Sequence, residues 1–163
     1  MRIGVVSDTH NNVRNINNVI SIFNRERVEK VIHTGDISKA KSLELFAKLE
    51  SPMIGVYGNN DRIESDLEET ALKHNFNFQQ PPFSLVLGNK KIAIFHEPDG
   101  IEDYLKQHND LDLVLHGHTH RFRQEKRGGI MYFNPGESAG FLKGKSALGI
   151  IDLNDLSIKR IFF

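Results

Sequence analysis

Five short polar clusters in this sequence each follow directly after a run of apolar residues. Short apolar runs are typical of buried strands, and ligand sites in α/β proteins assemble where such strands end. The pattern therefore favours a fold in which several strands end at one shared edge. The clusters are Asp8-Thr9-His10, Gly35-Asp36, Gly58-Asn59-Asn60-Asp61, His96 and Gly117-His118-Thr119-His120.

The spacing of apolar residues predicts an α/β first half and a mostly β second half. A strand, a helix and a second strand come first, and this order favours parallel pairing of the two strands. Strands are predicted at residues 3–6, 31–32, 53–56, 83–87, 91–95, 111–115, 130–133, 147–151 and 157–162. Helices are predicted after a cap at Asn11 or Asn12, at 41–49, from Asn60-Asp61 through Ile63, Leu67 and Ala71, and at 101–105.

The composition narrows the class of protein. A chain of 163 residues predicts one domain, residues 1–163, with a sizeable core. It contains no cysteine, which excludes disulfide scaffolds, thiolate metal sites and cysteine nucleophiles. The 21 basic side chains balance the 21 acidic ones, which argues against broad capture of nucleic acid or membrane. With no visible targeting segment or membrane span, we expect a cytoplasmic protein.

The polar clusters carry the donors that borderline divalent ions accept, namely carboxylate and amide oxygens and imidazole nitrogens. Asp8 with His10, and His118 with His120, are two residues apart, and in an extended segment such pairs share one face. With three further donors there are seven candidates, which is too many for one ion and suits two. Taken singly, each cluster is more typical of an ordinary helix cap or turn than of a catalytic site. The three further candidates are Asp36, Asn59 and His96.

As an ordered series, these motifs resemble the calcineurin-like metallophosphoesterase superfamily, and in particular its small phosphodiesterase branch related to the retromer subunit Vps29. The similarity extends from Asp8 to the segment Asn134-Pro135-Gly136-Glu137-Ser138. It implies a four-layer sandwich of two mixed β-sheets flanked by helices, with a two-metal site at the sheet edges.

The resemblance also implies roles for individual residues. One ion would take Asp8, His10 and His120, and the other would take Asn59, His96 and His118. Asp36 would bridge both ions, and Asp36, Asn59 and His96 would be the catalytic residues. The expected cofactors are two divalent ions, with Mn²⁺ first and Ni²⁺, Fe²⁺, Co²⁺ or Zn²⁺ as alternatives.

The expected activity is hydrolysis of phosphodiester bonds by a hydroxide that bridges the two ions. Four histidines match no ligand position. We expect His33 and His116 to lie in the core or to orient ligands, and His74 and His108 to lie at the surface.

Two segments depart from the superfamily pattern. Asn60-Asp61 stands where many members carry a histidine that protonates the leaving group, so good leaving groups should be favoured. His96-Glu97-Pro98-Asp99-Gly100 stands where a His-Gly-His sequence is more usual. Its two added carboxylates would repel an anionic substrate unless they point outward or hold a cation.

Two other functions compete with the enzyme. One is a Vps29-like scaffold for protein contacts with vestigial catalysis, which an unsubstituted ligand series argues against. The other is a nuclease, in which residues 121–127 and Lys143-Lys145 contact a nucleic-acid backbone and Phe122 stacks on a base. The alternative for residues 121–127 is an edge strand with solvated charges. We expect a small phosphodiester as the substrate, no membrane partner, and possible self-association.

One further segment resembles a phosphate-binding loop without matching it. Gly140 and Gly144-Lys145-Ser146 are separated by three residues, whereas the P-loop motif requires four. The segment also lies in the β-rich half, where no helix is predicted to follow. We therefore do not expect nucleotide binding of that type.

Overall fold

A computed structural model describes residues 1–61 and 66–163, which form eleven strands and four α-helices. The strands are β1 (Arg2–Val6), β2 (Lys30–His33), β3 (Met53–Val56), β4 (Asn77–Gln79), β5 (Phe83–Leu87), β6 (Lys90–Ile94), β7 (Leu113–Leu115), β8 (Arg123–Arg127), β9 (Ile130–Asn134), β10 (Ala147–Asp152) and β11 (Ser157–Phe162). The helices are α1 (Val13–Glu26), α2 (Ala40–Leu45), α3 (Asp66–Lys73) and α4 (Ile101–Leu105).

The strands form two sheets of mixed direction. The six-stranded sheet has the order β11-β10-β1-β2-β3-β4, and the five-stranded sheet has the order β5-β6-β7-β9-β8. Strands β1, β2, β3 and β4 are parallel to one another in the first sheet, as β6, β7 and β9 are in the second. Because parallel strands end at the same edge of their sheet, the loops that follow them are brought together.

Three hydrophobic clusters separate four layers. Val6, Val31 and Leu148 face Phe23 and Leu43 in the cluster between the six-stranded sheet and its helices. The second cluster lies between the two sheets, and the third contains Ile101 of α4 with the outer face of the five-stranded sheet. The predicted four-layer α/β sandwich is therefore confirmed.

Helix α1 shows how the sequence sets an element's ends. The side chain of Asn12 accepts the N–H of Asn15 at 3.1 Å, which satisfies one of the free donors of the first turn. The helix ends where Arg27 adopts a left-handed conformation with φ of 52°. Its buried face includes Ile16 and Phe23, as the spacing predicts.

Several predicted boundaries are wrong in detail. The helix predicted at 41–49 is α2 followed by a 3₁₀ turn at Phe46–Lys48, where the N–H of Leu49 bonds to the carbonyl of Phe46. The strand predicted at 111–115 starts at Leu113, and just before it the Asp112 carboxylate accepts the N–H of Lys91 at 2.8 Å.

Two further differences concern β4 and α3. Strand β4 was not predicted, because its three residues are mostly exposed and lack an apolar pattern. The helix predicted from Asn60-Asp61 is α3, with Leu67 and Ala71 buried, and Ile63 lies outside the described residues. Across residues 1–61 and 66–163, no helix has the length and apolar character needed to cross a membrane.

Candidate metal centre

All seven candidate ligands lie in loops that follow the carboxyl ends of parallel strands. Asp8 and His10 follow β1, Asp36 follows β2, and Asn59 follows β3, all in the six-stranded sheet. The remaining candidates come from the five-stranded sheet, in which His96 follows β6, and His118 and His120 follow β7. The two sheets therefore contribute to one cluster.

The backbone around these residues is unusual. Asp8, His10, Asp36, His118 and His120 all have positive φ angles, between 44° and 64°. Residues other than glycine rarely adopt this left-handed conformation, and such residues concentrate at functional sites. The expectation that residues two apart share one face of an extended segment is therefore wrong for both pairs, because turns, and not strands, orient their side chains.

Two glycines allow the loops to approach closely. A Cβ atom at Gly58 would lie 2.1 Å from Oδ1 of Asp36, and one at Gly117 would lie 1.9 Å from Oγ of Ser7. Any side chain at either position would displace the loop that carries a candidate ligand. These glycines are thus required by packing against the cluster.

The first group of donors contains Asp8, His10 and His120. One ligand atom from each lies within 4.8 Å of the others, and Nε2 of His120 is 3.5 Å from Oδ1 of Asp8. Asp8 is fully buried, and its carboxylate accepts hydrogen bonds from the Ser7 hydroxyl and, at 3.2 Å, from the His118 N–H. The hydrogen bond and charge of Asp8 raise the pKa of His120 above its ordinary value, in spite of partial burial.

The second group of donors surrounds the amide oxygen of Asn59. Nε2 of His96 lies 2.9 Å and Nδ1 of His118 lies 3.0 Å from Oδ1 of Asn59. Nδ1 of His96 lies 2.8 Å from the carbonyl oxygen of Thr34 and therefore carries the proton that it donates. In a neutral ring this leaves the lone pair of His96 on Nε2, directed at the cluster.

Asp36 lies between the two groups and is nearly fully buried. Its Oδ1 is 3.4 Å from Nε2 of His96, and its Oδ2 is 3.9 Å from Nε2 of His10. Asn60 donates to both oxygens, from its backbone N–H at 3.0 Å and from its side-chain amide at 2.7 Å. Burial alone would raise the pKa of Asp36, but the interaction with protonated His96 and the two hydrogen bonds from Asn60 outweigh it and hold the pKa well below its ordinary value.

The donor set fits divalent cations. Among the residues that the structure describes, buried Nε2 of His10 has no hydrogen-bond partner, although it faces the Asp36 carboxylate. A buried imidazole nitrogen without a partner is costly, and an ion bound there would satisfy it. Two buried carboxylates, one amide oxygen and four imidazoles are also the mixed oxygen and nitrogen donors that borderline metals accept.

Asp61 has a role that the sequence did not predict. It was expected only to lie in a turn, at a place where many members of the superfamily carry a proton-donating histidine. The Asp61 carboxylate is buried and accepts four backbone N–H groups: those of Asp36, Ile37, Ser38 and Gly58, at 2.6 to 2.8 Å. It thereby joins the loops after β2 and β3. An acidic residue three positions after a glycine in Gly-Asn-Asn-Asp was the available signal, but three of its four partners are 23 to 25 residues away.

The remaining histidines lie outside these two groups. His33 accepts the N–H of Gly35 at Nδ1 and pairs with the Thr9 hydroxyl at Nε2, and burial lowers its pKa to about 3. Burial likewise lowers the pKa of His116 to about 4. His108 is exposed, as expected, whereas His74 is mostly buried, and its Nε2 lies 3.6 Å from Oε1 of Glu44.

The acidic segment after His96 and the basic segment at residues 121–127 both affect the charge that a substrate meets. Glu97 lines a pocket of about 350 Å³ together with Phe95 and Tyr104, and Asp99 is exposed. In the basic segment, β8 is an edge strand, and Arg123 pairs with Glu125. The ring of Phe122 is covered by the Arg160 guanidinium at 4.2 Å, so the stacking face predicted for a base is occupied on one side.

Comparisons of this chain with a family model and with a known protein both find phosphoesterases. The family described as the calcineurin-like phosphoesterase superfamily domain matches residues 1–155. The phosphodiesterase MJ0936 of Methanocaldococcus jannaschii is 34% identical over 163 residues, which cover 99% of this chain and 98% of that protein.

Solved structures extend the comparison. An archaeal phosphodiesterase superposes with a TM-score of 0.90 at 33% identity, over 100% of both chains. A Vps29 variant from Entamoeba histolytica superposes with a TM-score of 0.72 at 19% identity, over 100% of this chain and 99% of its own. The second likeness concerns the fold alone.

Proposed function

Because this chain belongs to the calcineurin-like phosphoesterase superfamily, we propose that it is a binuclear, divalent-metal-dependent phosphodiesterase. The observation that carries the proposal is the position of Asp36, whose two carboxylate oxygens face two separate groups of donors. A single carboxylate placed in this way can bind one ion with each oxygen. The phosphodiesterase relatives, which align over nearly the whole chain, support the same reaction.

The two ligand sets follow from the donor groups. Asp8, His10 and His120 would hold one ion, supported by the proximity of their ligand atoms. Asn59, His96 and His118 would hold the other, supported by the convergence of both imidazoles on the Asn59 oxygen. Asp36 would bind both ions.

Divalent ions at this position would lower the pKa of a water molecule and offset the negative charge of the phosphoryl oxygens, which is what phosphodiester hydrolysis requires. The protein's part is to keep the ligand atoms oriented and unprotonated. Thr34 fixes the proton of His96 on Nδ1, and the bonds from Asn60 keep Asp36 ionised. Asn59 contributes a neutral oxygen, which leaves more positive charge available to bind phosphate.

The structure bears on the choice of substrate through Asn60. This residue donates to Asp36, and its amide cannot supply a proton to a leaving group. We therefore propose that the enzyme prefers diesters whose leaving groups depart without protonation, such as aryl diesters. A small diester is favoured over nucleic acid, because Arg123 is paired with Glu125 and Arg127 with Glu102.

Metal reconstitution tests this proposal. Protein stripped with a chelator should hydrolyse bis(p-nitrophenyl) phosphate after addition of Mn²⁺ or Ni²⁺, and should do so faster than it hydrolyses p-nitrophenyl phosphate. Fe²⁺, Co²⁺ and Zn²⁺ are tested in parallel, because ligand type does not separate these ions. If no divalent ion restores hydrolysis, the enzyme proposal fails and the scaffold interpretation is favoured.

A further inference from the structure

An exposed phenylalanine stands beside the first donor group. The ring of Phe141 lies 5.1 Å from that of His10 and 5.6 Å from that of His120, and it is nearly parallel to the His120 ring, at 16°. In spite of these contacts, 64% of Phe141 is exposed to solvent. A single exposed apolar side chain is common at protein surfaces. Phe141 is distinguished by its position, because its ring lies against two candidate metal ligands and leaves most of its surface open beside them.

The loop that carries Phe141 is held in place by buried groups. The Glu137 carboxylate, 1% exposed, accepts the N–H of Gly140 at 2.7 Å and that of Leu142 at 3.1 Å. Two asparagine amides bind the carbonyl oxygens that precede the loop: Asn12 binds Ala139 at 2.6 Å and Asn15 binds Ser138 at 2.8 Å. These hydrogen bonds fix the backbone on both sides of Phe141, so an anchored loop holds the ring in this position.

We propose that Phe141 binds a planar aromatic group carried by the phosphodiester substrate, and that it thereby determines specificity for esters that bear an aryl group or a nucleobase over simple alkyl esters. The inference rests on the proposed function, since the substrate's phosphorus must lie at the donor groups. A group attached to that phosphorus on the side of His10 and His120 meets the exposed part of the ring. Stacking on a phenylalanine tolerates different aromatic groups, because each has a π-face.

The same segment contains the glycine-rich sequence that resembles a phosphate-binding loop. Residues 140–146 form turns that lead directly into β10, and no helix follows them in the described part of the chain. The backbone N–H groups of Gly140 and Leu142 are bound to Glu137, so they are not free to bind phosphate. The contribution of this segment to substrate binding therefore comes from the Phe141 ring.

Ligand binding provides a test that does not depend on turnover. The chain contains no tryptophan, so Phe141→Trp places a single tryptophan in the loop, and its fluorescence can be excited selectively over that of the three tyrosines. In manganese-loaded protein, adenosine 5′-monophosphate and p-nitrophenyl phosphate should each change its fluorescence, whereas methyl phosphate should not. The first ligand tests nucleobases and the second tests aryl groups, and a response to either supports the inference.

Removal of the ring in Phe141→Ala is the second part of the experiment. By calorimetry, Phe141→Ala should weaken binding of the responding aromatic ligand by about fivefold to 100-fold, while binding of methyl phosphate is unchanged. Turnover of bis(p-nitrophenyl) phosphate should show a raised KM with kcat little changed. Leu142→Ala, which removes a neighbouring exposed apolar side chain from the same loop, is the matched control and should behave like the wild type.

The outcomes separate this inference from the proposed function. If wild-type protein hydrolyses the diester but Phe141→Ala binds the aromatic ligands as tightly as wild type, the inference is overturned and the function stands. Equal losses for methyl phosphate and the aromatic ligands would also overturn it, because they indicate a structural role of the loop. If no metal restores hydrolysis, the proposed function has failed, whatever the binding results.

Discussion

The space between the two sheets and the edge where their loops meet are stabilised in different ways. Between the sheets, Ile32 and Val56 of one sheet share a buried hydrophobic cluster with Ile94 and Leu113 of the other. At the edge, buried carboxylates, histidines and left-handed turns lie side by side. The first region depends on volume and apolar area, which many side chains supply. The second depends on individual polar atoms, and few side chains can replace them.

This difference predicts that a substitution that hardly changes side-chain volume will reduce activity most when it is made at the edge. Asp36→Asn removes a charge without changing shape, and loss of even an outer partner of a metal ligand costs about 10- to 100-fold. We expect activity to fall by more than about 100-fold, together with the metal content measured by elemental analysis. The circular dichroism spectrum should remain that of the wild type. A fully active Asp36→Asn protein would refute the ligand assignment.

Asp61→Asn tests whether the edge depends on backbone anchoring as well as on ligands. The variant keeps one acceptor oxygen but places an amide among the N–H groups of Asp36, Ile37, Ser38 and Gly58. We expect a loss of about 1–3 kcal/mol in the free energy of unfolding of metal-free protein, measured in urea. We also expect activity to fall about 10- to 100-fold.

The control for this variant is Asp155→Asn. Asp155 is exposed and accepts the backbone N–H of Ser157, two residues away, at 2.8 Å. It should lose little of either stability or activity. If both variants behave alike, the buried carboxylate of Asp61 has no special anchoring role.

The sequence predicted most of the regular region, because buried strands and helices leave a periodic apolar pattern. Strand β3 and helix α4 match their predicted bounds, and the side chain of Asn12 forms the predicted cap of α1. Strand β4 left no pattern, since it is short and mostly exposed. At the edge, residue types indicated the chemistry, but not the left-handed turns that orient Asp8 and His10.

Two residues at the edge could not be interpreted from the sequence, because their roles depend on contacts distant in the chain. Asp61 acts on the loop after β2, which precedes it by more than 20 residues. Phe141 lies against His10 and His120, and a lone aromatic residue in a glycine-rich loop carries no signal of that placement. Only folding brings such residues together, and a single sequence does not show which distant residues will be in contact.

His33 connects the two regions and should give the edge a dependence on acid. Burial lowers the pKa of His33 to about 3, whereas the unfolded chain takes up a proton at about 6.5. The unfolded state therefore binds more protons between these two pH values. The contribution of neutral His33 to the free energy of unfolding is complete above pH 6.5 and is lost as the pH is lowered towards 3.

Replacement by an uncharged side chain should remove this contribution. In metal-free protein, the unfolding free energy of His33→Gln should change less steeply than that of wild type between pH 6 and 4, by up to about 1.4 kcal/mol per pH unit. Urea unfolding at a series of pH values measures the slopes. Parallel curves for the two proteins would show that His33 is not kept neutral by the fold.

The smallest effect is expected between the sheets. Ile94→Val removes one buried methyl group from a layer that other side chains fill, and should cost about 0.5–1.5 kcal/mol of unfolding free energy. Activity per folded molecule should equal that of the wild type. His96 lies only two residues after Ile94, the last residue of this strand. A large loss of activity in folded Ile94→Val protein would therefore contradict the distinction between the two regions.

The central claim is that the loop edge binds two ions that share Asp36, and anomalous diffraction from crystals loaded with Mn²⁺ tests it most directly. We predict two anomalous peaks separated by roughly 3.5–4 Å. One should lie among Asp8, His10 and His120, the other among Asn59, His96 and His118, with Asp36 next to both. A single peak, or peaks that leave Asp36 without contact to an ion, would contradict the account.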